Sequence, residues 1–147
     1  MHTLEFGLFI DRPPQQVFDF MTNPENDHLW QDSTISSEWS TPEPAGAGSV
    51  KQVVVRFMGR DMQAVGEYTE WERPNRYAFT ANVGSILLKG VTTFEAQENG
   101  TLVSTAAQVE ISGIMGLIEG PLVRRAKKQD IANLNTMKEL LENRPRP

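Results

Sequence analysis

The sequence predicts an α+β domain in which a curved antiparallel sheet wraps around one long C-terminal helix. Three observations predict it. The chain opens with a strand pattern, continues with two short helical patterns and a run of strand-like segments, and ends in a single long helical pattern. This order of elements is typical of a helix-grip fold, whose sheet and terminal helix usually enclose a pocket. The sequence therefore indicates a binding cavity more clearly than it indicates a reaction.

The first predicted elements are one strand and two short helices. Residues 3–10 alternate between apolar and other side chains, which predicts a strand with one buried face. The proline pair 13–14 suits the first turn of a helix, and the apolar residues of 17–21 form one face of that helix. The Asn-Pro pair 23–24 predicts a turn and the start of a second short helix, which carries Trp30.

The middle of the chain predicts a series of strands joined by turns. Segments rich in β-branched and aromatic residues cover residues 35–40, 49–58, 62–71, 76–82, 86–97 and 101–112. With the first strand they predict a sheet of about six or seven strands in an antiparallel meander. Prolines and glycines predict a loop over residues 41–48. Asn99 and Gly100 predict a hairpin turn, because Asn-Gly adopts positive φ at low cost.

The last predicted element is a helix that begins between Ile114 and Pro121. Its apolar stripe consists of Ile131, Leu134, Met137 and Leu141. Further back the same face becomes polar at Lys127 and Asp130. Two interpretations stay open. In the first, Lys127 buries the aliphatic part of its side chain and keeps its amine in water. In the second, this half of the helix faces a cavity, with Lys127 and Asp130 paired at its edge.

Composition excludes several classes of function. The chain of 147 residues has no cysteine, which excludes disulfides and thiolate chemistry, and its two separated histidines predict no metal site and no cofactor. A net charge of −5 argues against nucleic-acid binding. No apolar run approaches the roughly 18 residues of a membrane span. We expect one cytoplasmic domain over residues 1–147, and the sequence leaves a homodimer open.

The charge is unevenly distributed along the chain. Residues 120–147 carry a net charge of +4, and the remaining residues carry −9. One interpretation is a solvated helix packed on an acidic sheet. The other is a rim that attracts anions, formed by Arg124, Arg125, Lys127 and Lys128.

Five segments, in this order, resemble a known family. They are 10–20, with its Pro-Pro-Gln-Gln-Val-Phe-Asp-Phe run, 23–30, with Asn-Pro-Glu-Asn and a later Trp, 70–77, with Glu-Trp-Glu-Arg-Pro-Asn-Arg-Tyr, the Gly-Thr pair 100–101, and 134–142 at the end of the chain. Together they resemble the START-like, or SRPBCC, superfamily, and within it the polyketide cyclase/dehydratase-like subgroup. The resemblance implies a hydrophobic pocket between sheet and helix for lipids, polyketides, hormones or similar molecules. Some members catalyse cyclisation or dehydration, and no universal catalytic motif carries over.

Strand alternation gives the candidate residues of such a pocket. On strand 49–58, one parity turns Arg56 and Met58 inward, and the other turns Val53 and Val55 inward and leaves Arg56 in solvent. On strand 62–71, Tyr68 and Glu70 share a face with Ala64 and Gly66, which are small enough to leave room beside them. The candidate ligand-binding residues are Trp30, Arg56, Met58, Tyr68, Glu70 and Lys127, and no catalytic residue is assigned.

Three functions are consistent with these residues. The first is a protein that binds or carries a small hydrophobic molecule in an internal pocket. The alternative is a cyclase/dehydratase-type enzyme that uses Tyr68, Glu70 or Arg56 to transfer a proton or stabilise an enolate. A protein-interaction role, such as a regulatory module, is the third. An enzyme needs at least two titratable groups inside the cavity, one of them with a shifted pKa.

Overall fold

The computed structural model describes residues 2–113, 116 and 119–147, without the side chain of Glu119. The strands are β1 (His2–Ile10), β2 (Thr34–Trp39), β3 (Val50–Phe57), β4 (Arg60–Glu72), β5 (Arg76–Val83), β6 (Ile86–Gln97) and β7 (Gly100–Ile111). The helices are α1 (Pro14–Thr22), α2 (Asp27–Trp30) and α3 (Glu119–Glu142), and a 3₁₀ turn (Pro24–Asn26) joins α1 to α2. The predicted start of the last helix includes Ile114, which lies outside the described residues.

The strands form one antiparallel sheet in the order β1-β7-β6-β5-β4-β3-β2. Strands β2 to β6 each pair with the next strand along the chain, and β1 pairs with β7. Short hairpins favour this antiparallel order because they join neighbouring strands directly. The predicted α+β helix-grip fold, with a curved seven-stranded sheet, short helices after the first strand and a long terminal helix, is confirmed.

The β3–β4 turn begins earlier than the predicted strand bounds 49–58 and 62–71 place it, and the β6–β7 turn differs from the predicted Asn-Gly turn. Met58 and Gly59 both have positive φ, 52° and 79°, between the paired residues Phe57 and Arg60, as in a type I′ turn. In the β6–β7 hairpin the positive φ belongs to Glu98, at 52°, and not to the Asn-Gly pair.

Gly100 is required for a packing reason and not for its turn conformation. A Cβ there would lie 2.6 Å from the carbonyl oxygen of Ile10 and overlap the ring of Phe9. Only glycine therefore lets β1 lie this close to the start of β7.

Two groups of buried side chains hold α3 against the sheet. The larger is an aromatic core, in which the ring of Phe18 lies 5.2 Å from those of both Trp71 and Phe94. Met137 and Leu141 of α3 belong to this core and are fully buried. The smaller group consists of Leu4, Val109 and Val123. Because Val123 comes from the first half of α3, the helix is anchored at two separate places.

Polar contacts fix the C-terminal end of α3 to the β1–α1 connection. The backbone N–H of Asp11 donates to Glu142 Oε2 at 2.9 Å, and Lys138 Nζ donates to the carbonyl of Phe9 at 2.6 Å. Arg12 Nε donates to the carbonyl of Arg144 at 3.0 Å. The end of the helix is therefore held by hydrogen bonds as well as by packing.

The predicted apolar stripe of α3 is correct in its second half and wrong at its first residue. Leu134 is half-buried and Met137 and Leu141 are buried, but Ile131 is 47% exposed. At 3.6 residues per turn, Ile131 lies about 120° around the helix from Met137, which places it outside the buried face. The residues that continue this face toward the N-terminus are Asn133 and Asp130.

Leu141→Ala should destabilise the fold by about 2–5 kcal/mol, because it opens a cavity in the aromatic core. Ile131→Ala on the same helix is the matched control and should change the free energy of unfolding by less than about 0.5 kcal/mol. Urea unfolding of both variants measures the difference. Equal losses at the two positions would contradict this assignment of the buried face.

Candidate functional site

A partly enclosed cavity of about 300 Å³ lies between the sheet and α3. Its wall is mostly apolar. It includes members of the aromatic core and, from the other side, Phe6 and Leu88, which pack against the smaller group. The apolar lining includes Phe6, Met21, Trp30, Val53, Val55, Ala64, Tyr68, Tyr77, Phe79, Ala81, Val83, Leu88 and Leu134. The polar and charged lining includes Asp27, Lys51, Thr92, Thr105, Asp130 and Asn133.

The cavity exists because small residues occupy inward positions in the middle of the sheet. Gly66 pairs with Lys51 on one side and with Ala81 on the other, and Ala64 pairs with Val53 in the next row. Side chains of this size cannot reach across to α3, and the space above them stays open. Sequence alternation correctly placed Ala64 and Gly66 on the same face as Tyr68.

A buried ion pair stands at one side of the cavity. Asp27 is 1% exposed, and its Oδ2 accepts hydrogen bonds from Ser37 Oγ at 2.7 Å and from Lys51 Nζ at 2.8 Å. The same Lys51 Nζ lies 5.6 Å from the ring centroid of Tyr68. The second carboxylate oxygen of Asp27, Oδ1, is buried and has no hydrogen-bond partner among the described residues.

One further polar group of the cavity wall has unused hydrogen-bonding capacity. Trp30 Nε1 is buried and has no partner within the described part of the chain. Asn133 Oδ1 accepts from the backbone N–H of Asp32 at 3.2 Å and from Gln129 Nε2 at 2.9 Å. These bonds fix the Asn133 amide. An unpaired buried donor or acceptor costs about 1–3 kcal/mol, so such groups are expected where a ligand or water completes them.

Three titratable groups of the wall, Asp130, Tyr68 and Tyr77, have pKa values shifted toward their uncharged forms. Burial raises the pKa of Asp130 to about 6, and no neighbouring charge opposes the shift. Burial is also the main cause that raises the pKa of the Tyr68 hydroxyl, with the Asp27 charge as a second cause. Burial is the main cause of the raised pKa of Tyr77 as well. The cavity therefore disfavours added negative charge.

Of the six residues predicted to bind a ligand, the structure brings two to the cavity. Trp30 and Tyr68 line it, from α2 and β4. Arg56, Met58, Glu70 and Lys127 do not.

On β3 the second of the two parities is the correct one. Val53 and Val55 line the cavity, and Arg56 points to solvent, where it pairs with Asp61 at 2.8 Å. Both parities fit the sequence because valines occupy both faces of this strand. Met58 lies in the β3–β4 turn and is 64% exposed. Inward placement was therefore wrong for Arg56 and Met58.

A β-bulge explains the outward position of Glu70. The register of β4 against β5 shifts between Tyr68 and Glu70, so alternation changes face at this point. Glu70 is exposed and pairs with Arg76 at 2.7 Å, and Trp71 takes the inward side by packing on the aromatic core. Lys127 is exposed on α3, so only Asp130 of the predicted edge pair reaches the cavity.

Sequence reasoning missed Asp27, Lys51 and Asn133 as wall residues. The alternation that turns Val53 and Val55 inward also turns Lys51 inward, so the correct parity predicts it. Asn133 occupies the buried face between Asp130 and Met137, where helical spacing indicates it. Asp27 carried no signal, since nothing in its neighbours predicts a buried carboxylate.

Two further properties concern the described residues alone. Over residues 2–113, 116 and 119–147, no cluster of three His, Cys, Asp or Glu side chains could hold a metal ion. None of the helices in this part of the chain is long and apolar enough to cross a membrane.

A family profile described as polyketide cyclase / dehydrase and lipid transport matches residues 1–142. The chain belongs to this family. The predicted membership of the START-like, or SRPBCC, superfamily is thereby confirmed. The family and its fold support the binding of hydrophobic ligands in general. Among curated proteins, none is a significant sequence match.

Solved structures share the fold of this family member at low identity. The crystal structure of TTHA0849 from Thermus thermophilus is 22% identical, covers 95% of this chain and 97% of its own, and has a TM-score of 0.79. That of Ara h 8.0201 is 17% identical, with coverages of 97% and 99% and a TM-score of 0.77. A START superfamily protein from Mycobacterium smegmatis is 13% identical, with coverages of 97% and 95% and a TM-score of 0.74. These likenesses show the fold alone.

Lys51→Met should destabilise this polyketide cyclase / dehydrase family member by about 3–5 kcal/mol. The substitution leaves the buried Asp27 carboxylate without its cation. Adding Asp27→Asn to Lys51→Met should recover most of the lost stability. Lys89→Met replaces a lysine at an exposed position and is the matched control. Chemical unfolding measures all three. A loss below about 1 kcal/mol for Lys51→Met would show that the pair is not effectively buried.

Asp130→Asn should stabilise the protein at neutral pH and not at acidic pH. Because the folded-state pKa of Asp130, about 6, exceeds the ordinary 3.8, its contribution is fully present below about pH 4 and is lost as the pH rises through 6. The free energy of unfolding of the variant should therefore exceed that of the wild type by about 1–3 kcal/mol above pH 6 and match it near pH 4. Urea unfolding of both proteins across this pH range tests the expectation. A difference in the free energy of unfolding that does not vary with pH would refute it.

Proposed function

We propose that this protein binds a small hydrophobic molecule in the cavity between the sheet and α3. The observation that carries the proposal is a mostly apolar cavity of about 300 Å³ with a few fixed polar groups in its wall. Small-molecule sites in proteins have this composition, because apolar walls supply affinity and a few polar groups supply orientation. The family description, which includes lipid transport, supports the same function.

The size of the cavity limits the ligand. Small-molecule sites span about 300–1,000 Å³, and this cavity is at the lower end of that range. A molecule of one or two rings, or a short aliphatic chain, fits it better than a two-chain lipid does. A cytoplasmic location, the absence of a nucleic-acid partner and a homodimer remain predictions from the sequence.

An enzyme of cyclase/dehydratase type is the second candidate, and Asp130 favours it. This carboxyl faces the cavity with a pKa of about 6, close to the value that suits proton transfer near neutral pH. Asp27 and Tyr68 are further titratable groups of the same wall. An enzyme would convert the bound molecule, and Asp130→Asn would abolish the conversion without abolishing binding.

Ala64→Phe should block ligand binding. Ala64 is a buried residue of the cavity wall, and a phenyl ring at this position projects into the open space. Gln63→Phe is the matched control, because Gln63 is the preceding residue of β4 and is exposed on the other face. Titration with N-phenylnaphthylamine, a neutral fluorophore, should show at least about tenfold weaker binding for Ala64→Phe, and control and wild type should agree within about twofold.

Native mass spectrometry should detect a natural ligand as mass added to the purified wild-type protein. The same added mass should be absent from Ala64→Phe. Incubation of that ligand with the wild type and with Asp130→Asn then separates binding from conversion. Failure of the wild type to bind the fluorophore or retain any ligand would refute the proposed function. Equal binding by Ala64→Phe and Gln63→Phe would place the ligand elsewhere on the protein.

A further inference from the structure

The carboxyl group of Asp130 lies on the inward face of α3, between the two places where this helix is anchored. Asp130 is seven residues after Val123 and seven residues before Met137, and seven residues are close to two full turns of a helix. Val123 and Met137 are both buried, at 8% and 0% exposure, so the side chain between them points to the same side. Asp130 accordingly belongs to the cavity lining.

The oxygens of this carboxyl group are open to a ligand. Asp130 makes no hydrogen bond and no ion pair within the described part of the chain, and burial alone shifts its pKa. Neither of its oxygens is among the buried side-chain atoms that lack a partner there, so both are accessible to water. A cation that enters the cavity therefore meets a carboxylate whose acceptor positions are unused.

The other charged groups near the cavity leave this carboxylate without a counter-ion. Among the described lining residues the one cation is Lys51, and its Nζ lies 2.8 Å from Asp27 Oδ2, so its charge is already paired. Lys127, three residues before Asp130 on α3, is exposed. Above pH 6 the lining therefore carries a net negative charge, which attracts a cation and repels an anion.

The aromatic rings of the wall are also compatible with a cation. The lining includes Trp30, Tyr68, Tyr77 and Phe79. The face of such a ring carries partial negative charge and attracts an ammonium group within about 6 Å. Lys51 Nζ already lies 5.6 Å from the ring centroid of Tyr68. An aromatic wall therefore tolerates a cation better than an aliphatic wall of the same size does.

We propose that the ligand is a hydrophobic amine, whose ammonium group pairs with the carboxylate of Asp130 and whose apolar body fills the cavity. This inference rests on the proposed function and names the charge class of its ligand. The apolar wall supplies affinity for any hydrophobic guest of suitable size, and Asp130 selects among such guests by charge. An ammonium group brings both the missing positive charge and hydrogen-bond donors to this carboxylate.

Three probes with one alkyl chain and different head groups test the inference: octylamine, octanol and octanoate, titrated by calorimetry near pH 8. At this pH the amine is a cation, the fatty acid is an anion and Asp130 is ionised. Octylamine should bind at least about tenfold more tightly than octanol, as one charge-assisted hydrogen bond predicts. Octanoate should bind at least about threefold more weakly than octanol, because it meets a like charge.

Three variants assign the preference for the amine to Asp130 and to the cavity. Asp130→Asn should weaken octylamine binding about tenfold and change octanol binding by less than about twofold. Glu139→Gln removes an exposed carboxylate from the same helix, and as the matched control it should change neither affinity. Ala64→Phe should weaken the binding of octylamine and of octanol at least about tenfold, because its ring occupies the cavity.

The results separate this inference from the proposed function. Octanol binding as tight as octylamine binding, or octanoate binding tighter than either, would overturn the amine inference and leave hydrophobic binding intact. The inference is also wrong if the preference for octylamine survives Asp130→Asn, or if Glu139→Gln reduces it equally. Octylamine binding that Ala64→Phe leaves unchanged would place the ammonium group outside the cavity and overturn the inference. If none of the probes binds and the neutral fluorophore also fails, both proposals are wrong.

Discussion

The long helix α3 is held to the sheet at two places and cannot close on it between them. Met137 and Leu141 are buried in the aromatic core, and Val123 belongs to the smaller core group near the other end. The face that joins these anchors carries Asp130 and Asn133. Pressing a carboxyl and an amide against apolar strands without partners would cost several kcal/mol. Because small residues of β4 and β5 lie opposite, the space between the anchors is neither filled nor forced to close, and the cavity is the result.

The polar groups of this cavity are placed by elements that serve the fold for other reasons. Asp27 begins α2, and its carboxylate ties that helix to β2 through Ser37 and to β3 through Lys51. The ion pair thus contributes to the attachment of α2 while it presents Asp27 to the cavity. Asn133 links α3 to the chain after α2 through the N–H of Asp32. A group that is fixed in this way has little conformational freedom left to lose when a ligand binds.

The fold was predictable from the sequence, and the site was predictable only in part. Element order and period-two patterns gave the antiparallel sheet and the terminal helix, because these signals survive local irregularities. Glu70 was misplaced because a bulge reverses alternation, and a bulge leaves no mark in a hydrophobic pattern. Arg56 stayed ambiguous because β3 has valines on both faces. The Asp27–Lys51 pair joins residues 24 positions apart, and only the folded structure brings them within 2.8 Å.

The open part of the cavity offers a guest mainly apolar contact. Four buried side-chain atoms lack partners among the described residues, and two of them, Asp27 Oδ1 and Trp30 Nε1, belong to wall residues on one short helix. Both atoms are closed off from a water-sized probe, so they do not border the open space. The lining that borders it is mostly apolar, with rings such as Phe79 and aliphatic side chains such as Val53 and Leu88. Burial of apolar surface is therefore the main source of affinity in the proposed binding function.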